Sequence, residues 1–286
     1  MEIAVRATAK LAEGPRWDAA RQRLLWVDIE GCELHVLESG EDRAIGLDAM
    51  VCAAAPTTGG ATLVALADRL ALVDLADGSA RTLVRLPHGP AVRANDGACD
   101  AAGRFWIGTM GLELTPGAGA LYRYDGSLQR VLDGVTLSNG LGWTRDDARM
   151  YYIDSTVYRV DVFDFELESG RLDGRRPFVS FHQSDGVPDG LTVDDEGGVW
   201  VALYGGSCVH RYDERGRLDA VLDVPAENVT ACCFGGEDGR SLFVTTAAPD
   251  GNVYVTQPGV SGPPAHVFHA GGTRTAPSDA EDTSAR

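Results

Sequence analysis

The stretch RLLWVD, residues 23–28, returns along the chain as ATLVAL from Ala61, RFWIGT from Arg104, RMYYID from Arg149, GVWVAL from Gly198 and RSLFVT from Arg240. Successive starts lie 38 to 49 residues apart, a period near 43. Most copies follow a tight turn rich in Asp and Gly, such as DAARQ, DAAGR, RDDAR, DDEGG or EDGR. A period of this length built from short strands and turns predicts a β-propeller with one four-stranded blade per repeat. Six copies predict six blades in an all-β fold. No segment sustains the i, i+3, i+4, i+7 apolar spacing of a long amphipathic helix. A parallel β-helix needs a shorter repeat, and two sandwiches would not keep one spacing through six units.

Around these copies other strands are visible. LYRYDG from Leu121, YRVDVFDFE from Tyr158, CVHRYDE from Cys208 and NVYVTQPG from Asn252 alternate as third strands with one buried face. The opening EIAVRA is expected to pair with the last blade and close the ring, removing two open edges. The expected propeller spans residues 1–269. Residues 270–286 hold no large apolar side chain, and a disordered tail is expected there.

Composition narrows the classes. The 286 residues are 44% hydrophobic with no apolar run near the 18 or more that span a bilayer, so no membrane partner is expected. A formal charge of −17, from 42 acidic and 25 basic residues, repels phosphate backbones and argues against nucleic acid. MEIAVRATAKLAEGP lacks the apolar stretch and cleavage site of a signal peptide, so a cytoplasmic location is expected. Six cysteines (Cys32, Cys52, Cys99, Cys208, Cys232 and Cys233) show neither zinc-knuckle nor disulfide-framework spacing and are expected to be free.

Four polar residues keep phase with the repeat. Glu13 of EGPRWD and Asn139 of NGLGWT each lie 10 residues before a second strand, and Asn95 of NDGACD and Asp189 of DGLTVD lie 9 before theirs. Cys52 holds the matching place in the second repeat, and the sixth falls near Asn228. An Asn or Asp before Gly is ordinary turn chemistry when met once. Four at one phase, with Glu13 outside that chemistry, predict side chains that start the innermost strands at one mouth of the central channel. Two carboxylates and amide oxygens that converge in this way suit Ca²⁺, Mg²⁺ or Mn²⁺ and do not exclude Zn²⁺ or Fe²⁺. A metal site at one end of the channel is therefore expected.

Other candidates are weaker. The histidines show no HExxH spacing, and Ser207 lacks a G-x-S-x-G elbow. A surface strand accounts for His266 and His269. His182 stands on the loop leading to Asp189, within reach of the site. The tryptophans Trp17, Trp26, Trp106, Trp143 and Trp200 recur at equivalent places and suit packing between blades.

The segments EGPRWD, LLWVDI, RANDGACDAAGRFWIGTM, SNGLGWT, MYYIDS, PDGLTVDDEGGVWVALYGG and TACCFGGEDGRSLFVTTA closely resemble the regucalcin/gluconolactonase family of six-bladed propellers, from about Glu13 to about Gly259. The resemblance implies one divalent metal on Glu13, Asn139 and Asp189, with Ca, Zn, Mg, Mn and Fe all open. It implies a small-molecule sugar lactone as substrate, its hydroxyls held by Arg93 and Asn95, with Glu113 on a loop as a further contact. Asp189 is then metal ligand and general base, and Asp154 belongs to the catalytic or the supporting residues. The metal would polarise the lactone carbonyl for attack by water. Two alternatives stay open: a metal-dependent hydrolase of organophosphates or non-sugar lactones, and a calcium-binding regulatory protein without turnover.

Overall fold

The computed structural model describes residues 1–269, so the tail expected at 270–286 lies outside the described residues. Strand β1 (Glu2–Val5) comes first. Blade one then follows as β2 (Ala12–Asp18), β3 (Arg23–Asp28), β4 (Glu33–Glu38) and β5 (Glu41–Gly46). Blade two holds β6 (Val51–Pro56), β7 (Thr62–Leu66), β8 (Arg69–Val73) and β9 (Ala80–Arg85). Blade three holds β10 (Val92–Cys99), β11 (Phe105–Gly111), β12 (Gly119–Tyr124) and β13 (Leu128–Val135). Blade four holds β14 (Ser138–Trp143), β15 (Arg149–Asp154), β16 (Arg159–Glu166) and β17 (Arg171–Ser180). Blade five holds β18 (Val187–Val193), β19 (Val199–Tyr204), β20 (Cys208–Tyr212) and β21 (Leu218–Asp223). Blade six has β22 (Val229–Gly235), β23 (Ser241–Thr246) and β24 (Val253–Thr256), and β1 completes it as the outermost strand.

The six-bladed propeller and its closure are those read from the repeats. Every sheet is antiparallel and runs outward in chain order, except that β1 pairs with β24 through Glu2↔Val255 and Val5↔Val253. The innermost strands contact one another in the cycle β2, β6, β10, β14, β18, β22 and back to β2. Each second strand is buried on both faces because blades pack against it from either side. Trp106 meets Trp143 and Phe165 of the next blade, Trp200 meets Phe234, and Trp17 stacks on Phe243. The tryptophans thus pack between blades, as their spacing predicted. All six cysteines are free, five of them buried. Among the described residues no helix is long and apolar enough to cross a membrane.

One detail of register positions the site. All six innermost strands carry one extra residue near their start, at Glu13/Arg16, Val51/Ala53, Ala94/Gly97, Ser138/Leu141, Pro188/Leu191 and Val229/Ala231. A bulge re-aims a side chain out of the pleat. Here it does so six times at one height.

At the other end the channel is crossed by residues 261–269. Phe268 donates its N–H to Pro56 O (2.8 Å) and stacks on Tyr124, and His269 donates its N–H to Gly103 O (3.1 Å). His266 lines a small cavity there with Arg16 and Trp143. The surface strand expected for His266 and His269 is replaced by this irregular crossing, because successive prolines at Pro263 and Pro264 remove backbone donors.

Candidate functional site

The bulged positions bring Glu13, Cys52, Asn95, Asn139, Asp189 and Thr230 into one buried ring, one residue from each blade. The sixth member corrects the expectation of Asn228. That residue lies before β22 and donates its Nδ2 to Ala248 O at 2.7 Å, and Thr230 takes the ring place. The glycines that follow two of these residues let neighbouring strands close up. A Cβ on Gly140 would stand 2.6 Å from Leu191 N, and one on Gly190 would collide with Ala231.

Hydrogen bonds fix how the amides point. Ser155 Oγ donates to Pro188 O at 2.6 Å, so it must accept from Asn139 Nδ2, 2.7 Å away. Asn139 Oδ1 therefore faces the ring, where it accepts from Asn95 Nδ2 at 2.8 Å. Asn95 Nδ2 also donates to Ser138 O, and its Oδ1 accepts from the Arg93 guanidinium at 2.7 Å. The same guanidinium reaches Cys52 Sγ at 3.9 Å, and burial pushes that thiol up to about 11. Cys52 is thus a neutral, unreactive member of the ring.

The carboxylates are provided for differently. Glu13 accepts the Gly14 N–H at 3.0 Å, while Asp189 Oδ1 is buried with no hydrogen-bond partner among the described residues. Glu13 and Asp189 are 6% and 7% exposed, so neither charge is hydrated. Burial, and next the nearby Asp96 charge, raise Glu13 from 4.5 to about 8. Burial, then Glu13 and Asp96, hold Asp189 well above the usual carboxylate range. Just below the ring, Asp96 pairs with Arg16 at 3.3 Å and accepts the Gly97 N–H at 2.7 Å. Arg16 went unnoticed in the sequence because its partner is 80 residues away.

The other expected residues fall in distinct places. Glu113 is exposed on the connection between β11 and β12. His182 is exposed and caps the 3-10 turn Gln183–Asp185 ahead of β18, its Nδ1 2.7 Å from Ser184 Oγ. Asp154 ends β15, where it accepts the backbone N–H groups of Thr136 and Leu137.

Among the described residues no three His, Cys, Asp or Glu side chains gather at one point. A cation at the ring would take the two carboxylates together with the amide oxygen of Asn139. That donor set fits a hard divalent ion. The unpartnered Asp189 Oδ1 and the mutual repulsion of two buried acids are both conditions that such a charge relieves.

Fold and ring together define a six-bladed propeller with a buried ring of acids and amides at one end of the channel. The chain belongs to the SMP-30/gluconolactonase/LRE-like family, whose model matches residues 11–248. It is 39% identical to the putative sugar lactone lactonase YvrE of Bacillus subtilis over 84% of each chain. It is 38% identical to pentonolactonase XacC of Haloferax volcanii, over 87% of this chain and 85% of the relative. The crystal structure of a calcium-binding protein, regucalcin from Agrobacterium tumefaciens, superposes with a TM-score of 0.89 at 28% identity, covering 94% of this chain and 97% of that one.

Proposed function

We propose that the protein hydrolyses a sugar lactone to the corresponding sugar acid, with a divalent cation held by Glu13, Asn139 and Asp189. The observation that carries this reading is the pair of buried ring carboxylates with no cationic side chain bonded to either among the described residues, one of them with an orphaned oxygen. The lactonase names of the relatives from B. subtilis and H. volcanii supply the substrate class. When bound, the cation supplies Lewis acidity toward the lactone carbonyl and toward water.

The chain's own residues do the rest. Asp189, through Oδ1, accepts the proton of the attacking water. The water oxygen bonds to the carbonyl carbon, the ring C–O bond breaks, and the departing ring oxygen takes up a proton. One water is added and a hydroxy acid results. Arg93 has N–H groups to spare for ring hydroxyls, and Asn95 Oδ1 keeps a lone pair beyond the one that Arg93 uses. Glu113, on its exposed connection, meets the substrate at the mouth. Burial of the ring keeps water from competing with these contacts.

A panel of hexono- and pentonolactones, assayed with metal and then with chelator, tests the proposal. Ring opening of at least one member, lost with chelator and restored by metal, is the expected result. The calcium-binding description of the A. tumefaciens relative favours a second reading, a binding module without turnover. Cation uptake with no lactone opened across the metal-restored panel would establish that reading instead.

A further inference from the structure

Two aspartates outside the ring repeat one arrangement that the proposed chemistry leaves unused. Asp28, at the end of β3, accepts the Lys10 N–H on Oδ2 and the Leu11 N–H on Oδ1, both at 3.0 Å. Leu11 O accepts in turn from Ile29 N at 3.0 Å. Asp154, at the end of β15, accepts the Thr136 N–H on Oδ2 at 3.0 Å and the Leu137 N–H on Oδ1 at 3.1 Å. Leu137 O accepts from Ser155 N at 3.0 Å. Each clasp closes on the two amides that lie just ahead of a ring strand, and each strand then delivers a ring residue, Glu13 in one case and Asn139 in the other.

The arrangement is confined to these two blades. Asp28 and Asp154 pair in register with Ala12 and Ser138, the residues before Glu13 and Asn139. The corresponding places elsewhere hold Leu66, Thr109, Leu203 and Thr246, none of which accepts two N–H groups without donating. Blades one and four stand opposite each other in the ring. Their strands bulge beside the ring residue, where ladder bonds are interrupted, and in these two blades the clasp anchors the entry to the bulge. Asp154 has a second route to the same target. It accepts from Thr156 Oγ1 at 2.9 Å, and the intervening Ser155 holds Asn139 Nδ2.

We infer that Asp28 and Asp154 are positioning residues that set how far Glu13 and Asn139 reach toward the axis, and so fix the bite of the cation site. The inference rests on the proposed reading of the ring. Neither carboxylate touches the cation or the substrate. Their effect passes through two backbone amides each, as outer groups orient the ligands of a metal.

The test compares Asp28→Asn and Asp154→Asn with Asp100→Asn, a change to an equally buried aspartate at the opposite rim that bonds Arg104 and Trp106. Metal-free melting temperature and Mn²⁺ affinity by titration calorimetry are read for each. All three variants are expected to melt earlier. Only the first two are expected to bind Mn²⁺ more weakly, by roughly tenfold or more. Affinity within about threefold of the parent in both, with Tm lowered, would show that the clasps are merely structural. If an Asn variant does not fold, Asp28→Glu and Asp154→Glu keep the charge, shift it by one methylene and are read by the same affinity criterion. A parent that takes up no divalent cation ends the reading of the ring and this inference together. Unaltered affinity in the variants of a binding parent removes the inference alone.

Discussion

The segments EGPRWD, NDGACD and DGLTVD each begin in the ring and end at the opposite rim of the propeller, and the acids at the two ends are treated in opposite ways, the ring end of NDGACD being the amide Asn95. At the rim, Asp18 meets Arg21 and Arg23 at 3.2 and 3.1 Å. Asp100 takes Arg104 Nε at 2.6 Å and Trp106 Nε1 at 2.8 Å, and Asp194 takes Arg211 Nε at 2.7 Å and Trp200 Nε1 at 2.8 Å. At the ring, Glu13 has one backbone N–H and Asp189 Oδ1 has no partner. Burial is nearly equal, so solvent does not make the difference. The rim acids are satisfied by cationic and indole donors inside the chain, whereas the ring acids have no side-chain cation on them among the described residues.

Replacing one acid at each end separates these roles. Asp189→Asn is expected to lower kcat/KM for a lactone by at least about a thousandfold. The metal-free variant is expected to melt later than the parent at pH 8, because one of two repelling acids is gone. If it melts earlier, the ring acid is structural like those of the rim. Asp194→Ala should do the reverse. It strands the buried Trp200 Nε1, removes the acceptor of the Glu196 and Gly198 N–H groups and one of the three carboxylates that hold Arg211, and costs about 3 kcal/mol in chemical denaturation, while kcat/KM of the folded fraction is unchanged. A loss of turnover in that variant would blur the comparison.

The gentlest probe is pH. Glu13 titrates at about 8 in the metal-free fold against 4.5 when unperturbed, and Asp189 is shifted in the same direction. Between about pH 4.5 and 8 the folded state therefore holds protons that the unfolded chain has released. Metal-free stability from these groups is full below that window and declines as pH rises through it, by at most about 1.4 kcal/mol per pH unit for each group. Cation affinity should climb over the same window, since protons compete for the same oxygens. Denaturant melts at pH 5 and 8, with and without Mn²⁺, check both signs. A metal-free protein that gains stability toward pH 8 contradicts the account of the ring.

The propeller was legible because RLLWVD and its copies pair a short apolar run with an Asp- and Gly-rich turn, and both are local signals. Glu13, Asn95, Asn139 and Asp189 were legible because the symmetry turns equal phase into equal height. Thr230 stands at the same phase, 10 residues before Arg240, and was passed over for Asn228, 12 before, because no glycine follows it in NVTACC. Arg16 and Asp96 escaped because their pairing crosses two blades. The clasps of Asp28 and Asp154 escaped because their partners are backbone amides, which leave no mark on residue type.

The pairing of β1 with β24 also bears on how the molecule is made. On a ribosome, Glu2–Val5 emerges long before its partner Val253–Thr256. Blades one to five draw their strands from consecutive sequence and can assemble during synthesis, while β1 waits with an unpaired edge. The final seam joins the two most distant parts of the described chain, the kind of contact that folds slowly. Nascent chains halted before β24 therefore carry a sixth blade of only two strands, and its sheet is completed only when that strand is released to join β23 and β1.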